Sequence, residues 1–235
     1  MKIKKIFFAI LLFSHSYALG ERIEGTIKNL PDGKVYLTNR GFASGLSYVR
    51  LVYDSCTATE DGYFSFDLKE IDESKIYSIE FSSIEIGWIP LLIRRNEHII
   101  IKGYIDKTRK IESITGSTEY IQMRDIGNKT RGYIRKLNIF ADSSAFFYET
   151  NPDSSNYYTK LNKIYSDSIR YSEIEFIKFN SRSTYSLHLL NSYLFSIKKD
   201  SLRKLLSCFD HSIKKLGLFK QINEFVRTET ELVLF

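Results

Sequence analysis

Hydrophobic and polar residues alternate over short distances in the first half of the chain. Between Arg22 and about Gly116, runs rich in β-branched and aromatic residues are separated by turn-forming residues such as Asp and Gly. Seven of these runs predict strands, at residues 23–28, 34–37, 48–53, 63–68, 75–81, 88–93 and 98–103. Several short strands at close spacing are typical of an antiparallel sandwich or barrel.

After Gly116 the apolar residues recur every three or four positions, as they do on one face of a helix. Ser117 is the predicted N-cap of the first helix, and residues 158–169 and 200–216 carry the clearest later stripes. Residues 183–197 and 218–227 complete a region of three or four helices. The sequence thus predicts an α+β chain, with an antiparallel β-sandwich of about seven strands at residues 19–116 and a helical domain at residues 117–235.

The first residues have the pattern of a secretory signal peptide. Three lysines precede the apolar run 6–13, and the small residues of Ser16-Tyr17-Ala18 suit signal peptidase. We expect cleavage between Ala18 and Leu19, so that residues 1–18 form the leader; a cut after Gly20 and a buried N-terminal strand or helix are the alternatives. The run of eight apolar residues is shorter than the roughly 20 that a membrane-spanning helix needs, so no integral membrane segment is expected after cleavage. The predicted location is the periplasm or cell envelope, with secretion as the alternative.

The composition and net charge of the chain indicate which classes of binding partner to expect. The chain has 235 residues, 43% of them hydrophobic and 26% charged, which is the balance of a folded protein. Its formal net charge is +6, and loss of the leader with Lys2, Lys4 and Lys5 would lower it to +3. An excess this small does not predict a nucleic-acid partner.

The chain carries few residues with recognisable catalytic or metal-binding spacing. No HExxH, P-loop, GxGxxG or GxSxG motif is present, so we expect no catalytic, cofactor or metal site. Cys56 and Cys208 are the two cysteines. In an oxidising compartment they are a possible disulfide, and the alternative is that each is a small, partly buried hydrophobic residue.

Several turn motifs in the first half resemble a known family. Glu24-Gly25-Thr26-Ile27, Asp32-Gly33-Lys34 and Asp61-Gly62-Tyr63-Phe64-Ser65-Phe66 are similar to the N-terminal domain of unknown function that precedes the thioredoxin-like domain in exported bacterial TlpA/ResA-type thiol-disulfide oxidoreductases. The residues that carry the resemblance are Gly25, Asp32, Gly33, Asp54, Ser55, Asp61, Gly62, Phe64, Phe66, Gly116 and Ser117.

The resemblance implies an envelope location and a non-catalytic role for the β domain. The Trp-Cys-x-x-Cys motif of the family's thioredoxin domain has no counterpart in residues 1–235, so redox activity is not implied. We therefore expect an exported, non-catalytic protein with a β-sandwich binding or interaction module and a helical connector, acting on an unidentified envelope protein or surface ligand. The alternative is an accessory or remnant of a periplasmic thiol-disulfide oxidoreductase system that lacks its own CxxC domain.

Overall fold

The computed structural model describes residues 21–30, 33–42, 48–69, 71–82, 88–105 and 110–228. In these ranges the chain is α+β, with eight strands followed by six helices. The strands are β1 (Arg22–Lys28), β2 (Lys34–Phe42), β3 (Tyr48–Thr57), β4 (Tyr63–Asp67), β5 (Ile76–Phe81), β6 (Trp88–Leu92), β7 (His98–Tyr104) and β8 (Lys110–Thr115). The helices are α1 (Thr118–Phe147), α2 (Pro152–Phe179), α3 (Thr184–Ser192), α4 (Lys199–Cys208), α5 (His211–Lys214) and α6 (Gly217–Arg227).

The strands form two four-stranded sheets, with the orders β4-β1-β7-β8 and β3-β2-β5-β6. Strand β1 pairs antiparallel with β4 but parallel with β7, in a register that sets Arg22 opposite His98. The prediction of an antiparallel architecture is therefore wrong at this pair. The alternation of side chains is the same in parallel and antiparallel strands, so it does not reveal which strands become neighbours.

Both sheets contribute to one hydrophobic cluster. Every second residue of β1 is buried, including Ile23 and Ile27, as expected for a strand with one face in a core. The ring of Phe64 in the first sheet lies 6.5 Å from the ring of Phe81 in the second, in an edge-to-face arrangement. Burying a side chain of this size contributes about 1.5–3 kcal/mol, so Phe64 links the two sheets strongly.

Gly25 shows why a motif residue must be small. A Cβ atom at this position would lie only 2.1 Å from the ring of Phe64, which is buried on the neighbouring strand β4. Because Phe66 is buried on the same side of β4, the ring of Phe64 has little room to move away. Gly25 and the Phe64-Ser65-Phe66 sequence are therefore parts of one packing arrangement.

Some predicted elements differ from the observed ones. Strand β8 was not predicted, and the helix capped by Ser117 runs for 30 residues as α1, through Gly127 and Gly132. The single helix predicted for residues 200–216 is divided into α4 and α5. The division occurs because Phe209 is extended and the side chain of Asp210 accepts a hydrogen bond from the Ser212 amide, which starts a new helix.

A second hydrophobic cluster lies among the helices. It joins the C-terminal end of α2, at Ile177, to α3, α4, α5 and α6, with Leu187, Leu202 and Ile222 almost completely buried. The six described helices replace the three or four that were predicted. Among the described residues, none of the helices combines the length and the apolar character needed to cross a membrane.

Candidate interaction surface

Helices α1 and α2 form a long antiparallel hairpin. With about 1.5 Å of rise per residue, the 30 residues of α1 extend over about 45 Å. The buried residues of α1 are Glu119, Ile126 and Thr130, all in its first half, where it meets the rest of the protein. We call the distal part of the hairpin, residues 131–171, the arm, and the end of the hairpin nearest the sheets, where α1 begins, the base of the arm.

The two helices of the arm meet along a seam rich in aromatic residues. The ring of Phe140 stacks on Tyr158 with 6.1 Å between centroids and lies 5.5 Å from Tyr165. Phe147 stacks on Tyr158 at 5.8 Å, and Ser144 and Ser155 exchange hydrogen bonds with each other's side chain and backbone. These contacts set the register of the hairpin and use one side of each helix.

The other sides of the arm expose large apolar side chains. Between residues 131 and 171 only Ser155 is buried. Phe146 is 76% exposed, Tyr157 59%, Ile139 58%, Ile164 57% and Tyr171 67%. Single exposed apolar residues are normal on a protein surface, but this many on one two-helix projection indicate a contact surface.

The base of the arm is fixed to the sheets by helix capping. Ser117 accepts a hydrogen bond from the Tyr120 amide and donates one to the Leu92 carbonyl at the end of β6. The carboxylate of Glu97 accepts hydrogen bonds from the amides of Arg94 and Thr118. Burial raises the pKa of Glu97, although these two amides oppose the shift. The first turn of α1 therefore starts from a fixed position beside β6.

Gly116, directly before the N-cap of α1, allows the helix to begin at this position. Its φ of +82° lies in the left-handed region, and a Cβ atom there would be 1.8 Å from the carbonyl oxygen of His98. No side chain fits this space without moving the backbone of β7. The sequence singled out Gly116 and Ser117 as family-like turn residues, and both lie at the base of the arm.

The carboxylate of Glu119 is a second fixed contact at the start of α1, and it connects this helix to α3. Its side chain is 1% exposed and accepts hydrogen bonds from the Ser183 hydroxyl at 2.7 Å, the Thr184 amide at 2.8 Å and the Tyr185 amide at 3.0 Å. The guanidinium of Arg94 lies 3.8 Å away. One carboxylate on α1 therefore caps the N-terminus of α3, where the helix dipole also favours a negative charge.

The far end of α3 meets α2 through a hydrogen bond between two half-buried side chains, Tyr193 and Glu173. The hydroxyl of Tyr193 donates to the carboxylate of Glu173, and burial raises the pKa of both side chains. Tyr185, whose pKa burial raises to about 12, packs edge to face on Phe176 at 5.9 Å. Burial lowers the pKa of His188 to about 4, so this side chain is neutral at pH 7.

Two clefts outside the arm are less suited to binding. A cleft of about 560 Å³ on the β half is lined by Tyr53, Asp72 and Lys75. The ammonium group of Lys75 is already occupied by the Tyr53 hydroxyl at 3.3 Å and the Asp72 carboxylate at 3.6 Å. A groove of about 420 Å³ beside α6 is open and lined partly by Lys220 and Arg227. The hydroxyl of the buried Tyr77, which also lines the first cleft, already accepts a hydrogen bond from the Asp72 amide.

The remaining predicted site residues lie apart from the arm. The side chain of Asp54 accepts a hydrogen bond from the Ser55 amide within β3. The side chain of Asp61 accepts a hydrogen bond from the Thr59 hydroxyl, and this bond lowers the pKa of Asp61. Gly33 and Gly62 have positive φ in the turns that follow β1 and precede β4. Asp32, Ala18 and Leu19 lie outside the described residues. The motif residues that the structure describes thus lie in turns and in the core, except Asp54 and Ser55, which are exposed on β3.

The two cysteines are free thiols. Cys56 is half-buried on β3, and burial raises its pKa. Cys208 is exposed in the last turn of α4, where its thiol lies 3.4 Å from the Lys204 carbonyl. The described chain contains no group of three or more His, Cys, Asp or Glu side chains that could hold a metal ion.

The binding surface on the arm was not predicted from the sequence. The signal was present, because Tyr157, Ile164 and Tyr171 recur every seven residues beside a second heptad stripe that includes Tyr158 and Tyr165. A helix with two apolar stripes can bury one against its hairpin partner and leave the other exposed. No protein-family model and no curated protein matches the sequence.

Proposed function

We propose that this is an exported, non-catalytic protein of the cell envelope that works by binding another macromolecule, with the arm as its binding surface. The observation that carries the proposal is the exposure of Ile139, Phe146, Tyr157 and Ile164 on a projection whose only buried residue is Ser155. A two-helix hairpin buries little surface of its own, so leaving these side chains in water has an energetic cost that a partner would remove.

The rest of the proposal concerns architecture and location. The two sheets are proposed to pack face to face as a β-sandwich over residues 19–116, which is supported by their shared hydrophobic cluster and by the Phe64–Phe81 contact. Residues 117–235 would form a separate helical domain, supported by its own cluster of buried side chains. Relation to the domain found ahead of TlpA/ResA-type thioredoxin domains is supported by the turn residues quoted above.

Site-specific photocrosslinking in the native cell tests this function. Placing p-benzoylphenylalanine at Phe146 should give one discrete adduct after irradiation, because this ring is exposed on the arm. The matched control places it at Phe195, which is 80% exposed but lies outside the arm. The same purified protein should begin at Leu19. Absence of an adduct from position 146, or the same adduct from both positions, would contradict the proposal.

A second candidate function is that of an accessory protein in a thiol-disulfide system, and the exposure of the Cys208 thiol favours it. In this role the Cys208 thiolate would attack a disulfide of a partner protein, forming a mixed disulfide while the other partner sulfur leaves as a thiol. Rapid alkylation of native cells followed by nonreducing electrophoresis should then show a reducible adduct. The adduct should disappear in Cys208→Ser and persist in Cys56→Ser; loss in neither variant rejects the role.

A further inference from the structure

Building on the proposed binding role of the arm, we propose that the partner of the arm is a second copy of this chain. In this dimer two arms pack antiparallel, so that the tip of one lies beside the proximal half of the other. The four helices would form a bundle around a two-fold axis. The proposal follows from the apolar pattern of the arm and from the distribution of its charges.

The exposed apolar side chains recur with the period of a helical bundle. Ile139 and Phe146 are seven residues apart on α1, and each comes one residue before a seam residue, Phe140 or Phe147. Tyr157 and Ile164 are also seven apart on α2 and come one residue before the seam residues Tyr158 and Tyr165. Because the helices run in opposite directions, the same offset places both stripes on the same side of the hairpin.

A heptad stripe needs a second helical layer to become buried. Seven-residue periodicity keeps a stripe directed at one neighbour along the whole helix, which is the geometry of coiled coils and four-helix bundles. Across its seam, each helix of the arm already has one such neighbour. The second stripe therefore fits another helical hairpin of the same length better than it fits a small ligand or a strand.

The charges of the arm are separated along its length. Three acidic residues lie around the tip, where the two helices are joined: Asp142, Glu149 and Asp153. Basic residues concentrate in the proximal half of the arm, away from the tip, and include Arg131, Arg135 and Lys160. In the part of the chain that the structure describes, none of these six forms an ion pair. Both charge groups are thus available to a partner.

This separation selects the antiparallel arrangement of two copies. The acidic tip is centred near residue 145 of α1 and the basic band near residue 135, which are about 15 Å apart at 1.5 Å per residue. A two-fold axis near Ile139 and Phe140 would bring each tip opposite the basic band of the other arm. Parallel packing would instead set tip against tip, which like charges oppose. The acidic tip also disfavours an anionic membrane surface as the occupant.

The area available is sufficient for a modest dimer. Overlap over residues 131–148 gives about 18 residues, or about 27 Å, and two helices side by side are about 20 Å wide. The contact would cover about 540 Å² on each copy and about 1,100 Å² in total, near the lower end of specific interfaces. We therefore expect association that depends on concentration in the micromolar range.

Sedimentation of the full exported protein between 1 and 100 μM tests the dimer. The mass should rise from one chain to two across this range, and Ile139→Asp should weaken association about tenfold or more, because it buries a charge at the centre of the contact. Phe195→Ser, the matched control outside the arm, should associate as the unsubstituted chain does. A protein that stays monomeric at 100 μM overturns the proposal.

Charge reversal tests the antiparallel orientation. Asp142→Lys with Glu149→Lys should abolish association, and so should Arg135→Glu with Lys160→Glu. All four substitutions in one chain should restore the homodimer, because each reversed tip again faces a proximal half of reversed charge. Failure of the fourfold variant to recover, or no loss in the two double variants, rejects this geometry.

The photocrosslink at position 146 separates failure of the dimer from failure of the proposed function. An adduct of two copies of this chain supports the dimer. An adduct with a different protein leaves the binding function in place and overturns the second copy as partner. Flotation of a monomer with phosphatidylglycerol vesicles, without a protein adduct, identifies a membrane as the occupant and overturns both the dimer and the proposed binding of a macromolecule. No adduct and no flotation reject both proposals.

Discussion

Removing the Glu119 carboxylate should destabilise the protein more than removal of any exposed acid on the arm. In Glu119→Ala the Ser183 hydroxyl and the Thr184 and Tyr185 amides would all lose their acceptor in a site that is closed to water. An unsatisfied buried donor costs about 1–3 kcal/mol, and losses at neighbouring groups are less than additive. We expect a total loss of about 3–5 kcal/mol.

The assay is urea unfolding at pH 7, together with hydrogen exchange of individual amides. The unfolding midpoint of Glu119→Ala should fall strongly, and exchange at Thr184 and Tyr185 should accelerate, because these two amides bond directly to the carboxylate. Glu149→Ala, at the exposed tip of the hairpin, is the control and should change stability by less than about 0.5 kcal/mol. A Glu119→Ala protein within about 1 kcal/mol of the unsubstituted chain would refute the anchoring argument.

Three further predictions concern the base of the arm, the buried histidine and the thiols. Gly116→Ala should lower stability by about 2–4 kcal/mol in thermal unfolding, because the new Cβ meets the His98 carbonyl at 1.8 Å and φ is +82°; an unchanged melting temperature would refute this. Burial lowers the pKa of His188 in the folded protein to about 4, whereas a histidine in the unfolded chain has a pKa of about 6.5. As the pH drops from 6.5 to 4, the unfolded chain binds a proton that the folded chain does not, so the free energy of unfolding should fall by roughly 3 kcal/mol. His188→Gln should flatten this part of the stability profile, and an equal slope in both proteins would contradict the assignment. An aromatic disulfide reagent at pH 8 should modify exposed Cys208 faster than Cys56, whose pKa is raised by burial, and equal rates would be the contrary result.

The strands were predictable because their information is local. Phe64 and Phe66 alternate with polar neighbours, and turn residues such as Gly62 mark where a strand begins, so seven of the eight described strands were located from the sequence. The parallel pairing of β1 with β7 was not predictable, because it depends on contacts between residues far apart in the chain. Strand β8 carries the weak pattern Lys-Ile-Glu-Ser-Ile-Thr, in which two isoleucines are three residues apart.

The helices were also predictable only as far as their information is local. The apolar stripe from Leu202 to Leu216 is continuous in sequence, and only the capping geometry at Asp210 reveals that the chain breaks there. The candidate surface depends even more on tertiary structure. The residues Phe146 and Tyr157 look like ordinary core residues in a helical pattern until the packing shows that no other described element covers them.

The central place of β1 has a consequence for how the chain folds. Its parallel neighbour β7 begins 76 residues later, from Arg22 to His98, and its other neighbour β4 lies between them in sequence. Pairings of this length are slow to form, because the entropy of closing a long loop is lost before any contact is gained. Strand β1, the first of the described strands, therefore stays unpaired on both edges until the later strands are available. For a chain exported through the membrane as proposed above, this delay would keep the N-terminal half unfolded during passage and let the sheet assemble once it has emerged.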